Sequence, residues 1–306
     1  MSHDPPIAAI TGGTGFLGRA VVARLRAAGW RVRVLARRSA EGAMDLVPGS
    51  LEDECALGRL VAGARLVVHA AGLTRARSAR EFNAVNVEGA KRLGRAIRRA
   101  APDARIVAVS SLAAREPLLS PYAASKAAGE GALLDTAASA NWMVLRPSAL
   151  YGPGDLATLP VFRAAKLPLM PIPRQPAARM ALLHVDDAAG AVVAAALAPV
   201  TGQVWEVGDG SFAWEAIARA AGKALGLEVV LLPVPNPVLA AVLGLARLLA
   251  GGGSPLASPG KLAELLHGDW TCSSELLPPT QLWAPTIGLN DGFAATVSWY
   301  RLHGWL

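Results

Sequence analysis

Over the first 150 residues, short apolar runs rich in β-formers alternate with stretches of helical periodicity. Ile7 to Ile10, Arg31 to Ala36, Arg65 to Ala70, Arg105 to Ser110 and Trp142 to Arg146 read as strands. Between them, Leu17, Val21, Leu25 and Ala28 share one helical face, and Val85, Gly89, Leu93 and Ile97 share another. Strand, helix and strand at this spacing imply βαβ crossovers, and hence a doubly wound parallel sheet covered on both faces. Past Pro147 the pattern changes. Prolines cluster at Pro168, Pro171, Pro173 and Pro176 and again at Pro233, Pro235 and Pro237, and six of the eight tryptophans lie beyond residue 200. The expected organisation is therefore an α/β nucleotide domain over 1–152 and a smaller, irregular C-terminal lobe over 153–306. A segment near 181–210 is expected to return to the first domain. No repeat of solenoid length is present.

Composition narrows the class. The 306 residues are 53% apolar and 17% charged, with mean hydropathy +0.36, which excludes a disordered chain. The net charge of +7 and a pI near 10.0 raise nucleic acid or an anionic membrane as partners without deciding for either. Cys55 and Cys272 form no CxxC pair and no metal-ligand spacing, so neither a disulfide scaffold nor a metal centre is expected, and a reducing compartment is. No signal peptide is visible before the first strand, so the expected location is cytoplasmic. The apolar run Pro237 to Ala250 is shorter than the roughly 20 residues that span a bilayer, although Val238 to Leu249 would suit an interfacial helix.

The chemistry starts at the first strand, which runs into Thr11-Gly12-Gly13-Thr14-Gly15-Phe16-Leu17-Gly18 and then an amphipathic helix. The glycines satisfy two spacings, Gly12/Gly15/Gly18 and Gly13/Gly15/Gly18. Glycine lets the backbone turn sharply and approach a pyrophosphate, which then sits on the free N–H groups of a helix N-terminus. About 20 positions later, a cofactor with a free ribose 2′-hydroxyl calls for an acidic residue. This chain has Arg37-Arg38 there, and a guanidinium suits a 2′-phosphate, so NADP(H) is favoured over NAD(H). The competing reading has Glu41 or Asp45 reaching the ribose.

A second constellation is Ser110-Ser111 at a strand end, followed by Tyr122 and Lys126 four positions apart on one helical face. An ammonium beside a phenol lowers the phenol pKa from about 10 and makes it usable for proton transfer near neutrality. The strand-end serine is then placed to hold the substrate oxygen.

With these motifs in view, the chain resembles the extended short-chain dehydrogenase/reductases of the NAD(P)-dependent epimerase/dehydratase group. The matching elements are TGGTGFLG at 11–18, HAAG at 69–72, VNVEGA at 85–90, VSS at 109–111, YAASK at 122–126, LRPSALYGPGD at 145–155 and HVDD at 184–187. The resemblance implies a Rossmann-type sheet, with Tyr122 as general acid/base, Lys126 on the nicotinamide ribose and Ser111 polarising the substrate oxygen. It also implies that Gly12, Gly15, Phe16, Leu17 and Gly18 hold the dinucleotide, that Ala70, Ala71 and Gly72 line it, and that Pro147 and Ser148 lie near the nicotinamide. Where relatives often place an aspartate at the adenine, this chain reads Gly49-Ser50-Leu51, so the expected adenine contacts are Ser50 and Leu51.

The expected activity is hydride transfer between NADP(H) and a carbonyl or hydroxyl carbon of an apolar small molecule. Arg37 points to a reductase coenzyme, Leu112-Ala113 stand where dehydratases of the group tend to carry an acid, and the C-terminal half is apolar. A nucleotide-sugar epimerase or dehydratase, and a non-catalytic NAD(P)H-binding accessory protein, are the alternatives. Arg92, Arg95, Arg98 and Arg99 fall opposite the apolar face of their helix and read as solvated. Arg75, Arg77 and Arg80 follow the HAAG strand. Asp186 and Asp187 are expected to cap the alanine-rich helix behind them. With the basic surplus assigned in this way, nucleic acid drops out as a partner, membrane contact becomes a minor alternative, and a monomer or homodimer is expected.

Overall fold

The computed structural model describes residues 4–37, 45–249 and 259–306, with the side chains of 243–249 also outside the description; Arg38 and Glu41 fall outside it. The chain divides into two compact units. The first comprises Met1–Pro147, Ala188–Val207 and Ser274–Ala284, and the second Ser148–Asp187, Gly208–Ser273 and Pro285–Leu306.

The first unit is built on β1 (Ile7–Thr11), β2 (Arg31–Ala36), β3 (Asp45–Pro48), β4 (Leu66–His69), β5 (Arg105–Val109), β6 (Trp142–Pro147) and an edge strand, Gln203–Val207. Their order is edge strand, β6, β5, β4, β1, β2, β3, and every pairing is parallel. This is the Rossmann-type sheet. β4 is buried at all four positions, and β1 and β5 at all but the first, as befits strands covered on both faces.

Helices α1 (Phe16–Ala27), α2 (Glu54–Val61), the short α3 (Ala79–Phe82), α4 (Gly89–Ala100) and α5 (Pro121–Ala137) make the connections. Their starts follow local rules. The Asp53 carboxylate accepts from Ala56 N–H at 2.9 Å and opens α2, and Ser120 Oγ accepts from Ala123 N–H at 3.0 Å and opens α5, where Pro121 needs no N–H partner. Leu57 and Leu60 of α2, Leu93 and Ile97 of α4 and Leu133 of α5 pack on Val67, Ile106 and Val144 of the sheet. Each such fully buried side chain contributes about 1.5–3 kcal/mol.

Register decides where function sits. Thr11 of β1 lies opposite Leu35 of β2 and His69 of β4, and His69 lies opposite Ala108 of β5. The glycine loop, Arg37, Ala70–Gly72 and Ser110–Ser111 therefore all leave from one carboxyl edge, where open α/β sheets bind ligands.

The second unit has its own core, so its proline-rich sequence is less irregular than it reads. Strand 179–184 pairs with 149–151, 209–212 and 269–270, and 170–173 pairs in parallel with 231–234. Phe162 stacks edge-on with Phe293 at 4.9 Å, and Phe293 with Tyr151 at 5.0 Å, inside helices 159–164, 214–225 and 289–302. Asp186 and Asp187 lie in the first turn of the helix Val185–Leu197, but the Asp187 carboxylate accepts from Thr286 N–H, Thr286 Oγ1 and Ile287 N–H. Asp187 thus pins the 286–287 turn, a tertiary task beyond the local capping expected of it. The run Asn236–Leu249 is a 14-residue helix, and among the described residues no helix is long and apolar enough to cross a membrane.

Candidate active site

The glycine loop is shaped by backbone contacts. Gly12 has φ +75°, and a Cβ there would stand 2.6 Å from the Ala70–Ala71 peptide. A Cβ on Gly18 would overlap the Gly12 carbonyl oxygen. Gly15 N–H donates to that oxygen at 3.0 Å and closes the turn, which leaves the 12-residue α1 with no side-chain cap and no acid in its first turn. The N–H groups of Phe16, Leu17 and Gly18 are thus open to an anion. Arg37 is exposed directly after β2, at the same edge. Asp45 forms an ion pair with Arg31 at 2.8 Å, at the opposite, amino end of β2. A dinucleotide fits this cradle. Ser50 Oγ accepts from Glu52 N–H at 3.2 Å in the turn after β3, and Leu51 packs on Gly89 of α4.

The second group gathers around the start of α5. Tyr122 and Lys126 lie one turn apart, and Lys126 Nζ donates to the Val109 carbonyl at 2.9 Å, which anchors the ammonium at the end of β5. Burial pushes this ammonium down to about 8, against the attraction of Glu130. Ser111 Oγ accepts from Ala113 N–H at 3.2 Å and caps the 3-10 turn Leu112–Arg115, so its own O–H is available to donate. The Tyr122 ring rests 5.8 Å from that of Phe82. Pro147 ends β6 and is buried, and Ser148 after it is 7% exposed.

Five further residues, Asn86, Ser125, His69, Glu130 and Arg146, complete the surroundings, and the sequence alone assigns them no role. Asn86 lies in a π-helical segment, Asn83–Glu88, between α3 and α4. The wider turn aims its amide inward: Oδ1 accepts from Leu73 N–H at 2.7 Å, and Nδ2 donates to the Leu73 carbonyl at 3.0 Å and to Ser125 Oγ at 2.9 Å. Ser125 donates in turn to the Tyr122 carbonyl at 2.8 Å, so Asn86 ties the loop after Ala70–Gly72 to the turn of helix that carries Tyr122. His69 shares a 2.7 Å hydrogen bond between Nδ1 and Thr11 Oγ1, and burial, helped by Lys126, pushes its imidazole down to about 3. Glu130 accepts a two-pronged bond from Arg146, at 3.0 and 2.7 Å. Asn86 and Arg146 stand inside the quoted motifs VNVEGA and LRPSALYGPGD, which is the signal that points to them.

The remaining charged candidates sort simply. Arg95 and Arg99 of α4 pair with Glu54 of α2 at 3.1 and 3.7 Å, so that face is an ion-paired contact between helices and not wholly solvated. Arg75, Arg77 and Arg80 are exposed after β4. Among the described residues no group of three or more potential ligands is placed to hold a metal ion.

Comparisons with known proteins give the family and the fold. The NAD dependent epimerase/dehydratase family matches residues 8–208. A ceramide reductase of Caulobacter vibrioides is 43% identical, over 98% of this chain and 96% of that protein. The crystal structure of gox2253 superposes with a TM-score of 0.77 over 99% of this chain and all of that one, at 22% identity. A Thermus thermophilus UDP-glucose 4-epimerase in complex with NAD superposes with a TM-score of 0.69 over 96% and 99% of the two chains, at 23% identity. These two structures share the fold with it, while the family match covers most of the chain. This chain belongs to the NAD-dependent epimerase/dehydratase family.

Proposed function

We propose that this protein is a reductase that transfers hydride from NADPH to a carbonyl carbon of an apolar, lipid-like substrate, with Tyr122 supplying the proton. The observation that carries the reading is the joint placement of Ser111, Tyr122 and Lys126 at the edge from which the glycine loop leaves. Nicotinamide-dependent chemistry follows from the family, and the near full-length likeness to a protein named ceramide reductase supports net reduction of a lipid-like molecule.

The residues divide the work. The N–H groups after Gly15, with Gly12 and Gly18 making room, hold the pyrophosphate, and Arg37 holds the 2′-phosphate. Ser50 and Leu51 would hold the adenine, and Ala70, Ala71, Gly72 and Pro147 would line the remainder. Bound NADPH supplies the hydride. Ser111 donates its O–H to the substrate oxygen and sets the carbonyl beside Tyr122. Tyr122 then gives its phenolic proton to that oxygen as negative charge builds on it. Lys126, held by the Val109 carbonyl, keeps a positive charge next to the phenol and favours the phenolate left behind. Its remaining N–H groups suit the ribose hydroxyls.

The test is a screen of long-chain lipid ketones and nucleotide-sugars, with NADPH absorbance and product analysis as joint readouts. A lipid ketone is expected to consume one NADPH per alcohol formed, with NADH at least about tenfold poorer in kcat/KM. Interconversion of a nucleotide-sugar with no net loss of NADPH would overturn this reading in favour of an epimerase.

A further inference from the structure

A chain of alternating charges runs through the interior of the first unit, beneath the candidate site. Arg115 closes the 3-10 turn that Ser111 opens, and its Nη1 lies 3.5 Å from Glu206 Oε2 on the edge strand. Glu206 is fully buried and sits directly opposite Arg146 of β6 in the parallel register, so both side chains leave the same face of the sheet. Arg146 grips both oxygens of Glu130, and the two side chains are only 19% and 12% exposed. Glu130 follows Lys126 by four positions on α5 and therefore shares its face. The sequence of charges is plus, minus, plus, minus, plus, from the turn behind Ser111 to the ammonium beside Tyr122.

The last link is indirect. Lys126 and Glu130 both line a recess of about 20 Å³, room for one water molecule, with His69, Asn86, Ser110 and Ser125 as the other polar walls. Ser110 Oγ is buried there with no protein partner among the described residues.

We propose that Glu130 is a positioning residue for the reaction: clamped by Arg146, it holds Lys126 charged and oriented across the recess. This rests on reading Tyr122 and Lys126 as the working pair. Burial works against the Lys126 charge, and Glu130 is the anionic group that opposes it from one helical turn away. Among the described residues, the charged and titratable groups that bear on Lys126 are Glu130 and Tyr122 on its own helix and His69 on β4, with Arg146, Glu206 and Arg115 reaching it only through Glu130. His69 is neutral above about 3, and Glu206 lies between two arginines, so the opposing charge falls to Glu130. The ion pair with Arg146 fixes the Glu130 carboxylate in place, where a free glutamate on a helix surface would swing into water.

The test compares wild type, Glu130→Gln and Glu130→Asp by NMR titration of ¹³Cε-labelled lysine in the full-length protein without substrate, with Lys126 assigned from Lys126→Arg. In Glu130→Gln the Lys126 midpoint is expected to fall by about one pH unit, and the alkaline limb of kcat to move down with it. Glu130→Asp keeps the charge and is expected to stay nearer wild type. A folded Glu130→Gln protein whose Lys126 titrates as in wild type overturns the proposal. If Glu130→Gln does not fold, Arg146→Lys decides: it keeps the charge but loses the two-pronged grip, so a smaller fall is expected and no fall overturns the proposal. A shifted midpoint with an unmoved rate profile overturns instead the catalytic role of Lys126, and with it the reading on which the proposal rests.

Discussion

Acid should unfold this protein partly through one histidine. His69 ends β4, is 7% exposed, and lies between Thr11 and Ala108 in the sheet register. Burial and the nearby Lys126 charge hold its imidazole at about 3, whereas in the unfolded chain it titrates near 6.5. Between those values the unfolded state binds a proton that the folded state refuses, so stability falls as pH falls. From pH 7 to pH 4 the linkage amounts to about 3 kcal/mol. His69→Asn removes the titration while keeping an acceptor within reach of Thr11 Oγ1, which now shares a 2.7 Å hydrogen bond with Nδ1. At pH 7 the variant should be less stable by about 1–2 kcal/mol through lost ring packing. Urea unfolding at both pH values, followed by two probes, gives the comparison. Wild type should lose about 3 kcal/mol more than the variant on going to pH 4, since other acidic groups cancel in the difference. Equal losses in the two proteins would refute a buried, neutral His69.

Two further substitutions probe the cofactor cradle. In Gly18→Ala the new methyl group meets the Gly12 carbonyl oxygen, so NADPH affinity should drop at least about tenfold and stability by about 1–3 kcal/mol, read by tryptophan quenching and thermal melts; wild-type affinity would show that the loop has another shape. Arg37→Asp should raise the KM for NADPH by about 10–100-fold while leaving NADH unchanged or better. Equal losses with both coenzymes would remove the 2′-phosphate from Arg37.

What could be read from the chain was what is local. The glycine loop, the strands β1, β2, β4, β5 and β6 and the Tyr122–Lys126 pair depend on short-range spacing, and they stand where the pattern puts them. β3 is four residues, Asp45–Pro48, too short and mixed to show a period. The segment near 181–210 is expected back on the first domain, but the edge strand Gln203–Val207 and its pairing with β6, some sixty residues away, follow from no local pattern. The π-helical segment 83–88 keeps an ordinary helical composition, so the hydrogen-bond slip that turns Asn86 inward is invisible in the periodicity. Glu130 looks like one more helix-surface acid until Arg146 arrives on the neighbouring strand. Arg95 and Arg99 look solvated until α2 brings Glu54 to them.

The central claim is that Tyr122 gives the proton that completes hydride transfer. Tyr122→Phe deletes one oxygen and leaves the ring against Phe82, at 5.8 Å in the present structure. Single-turnover reduction of a lipid ketone by bound NADPH, measured beside NADPH binding, isolates that atom. The account predicts a loss of about 10²–10⁴-fold in rate with NADPH affinity nearly unchanged. A Tyr122→Phe enzyme that turns over at the wild-type rate would contradict it.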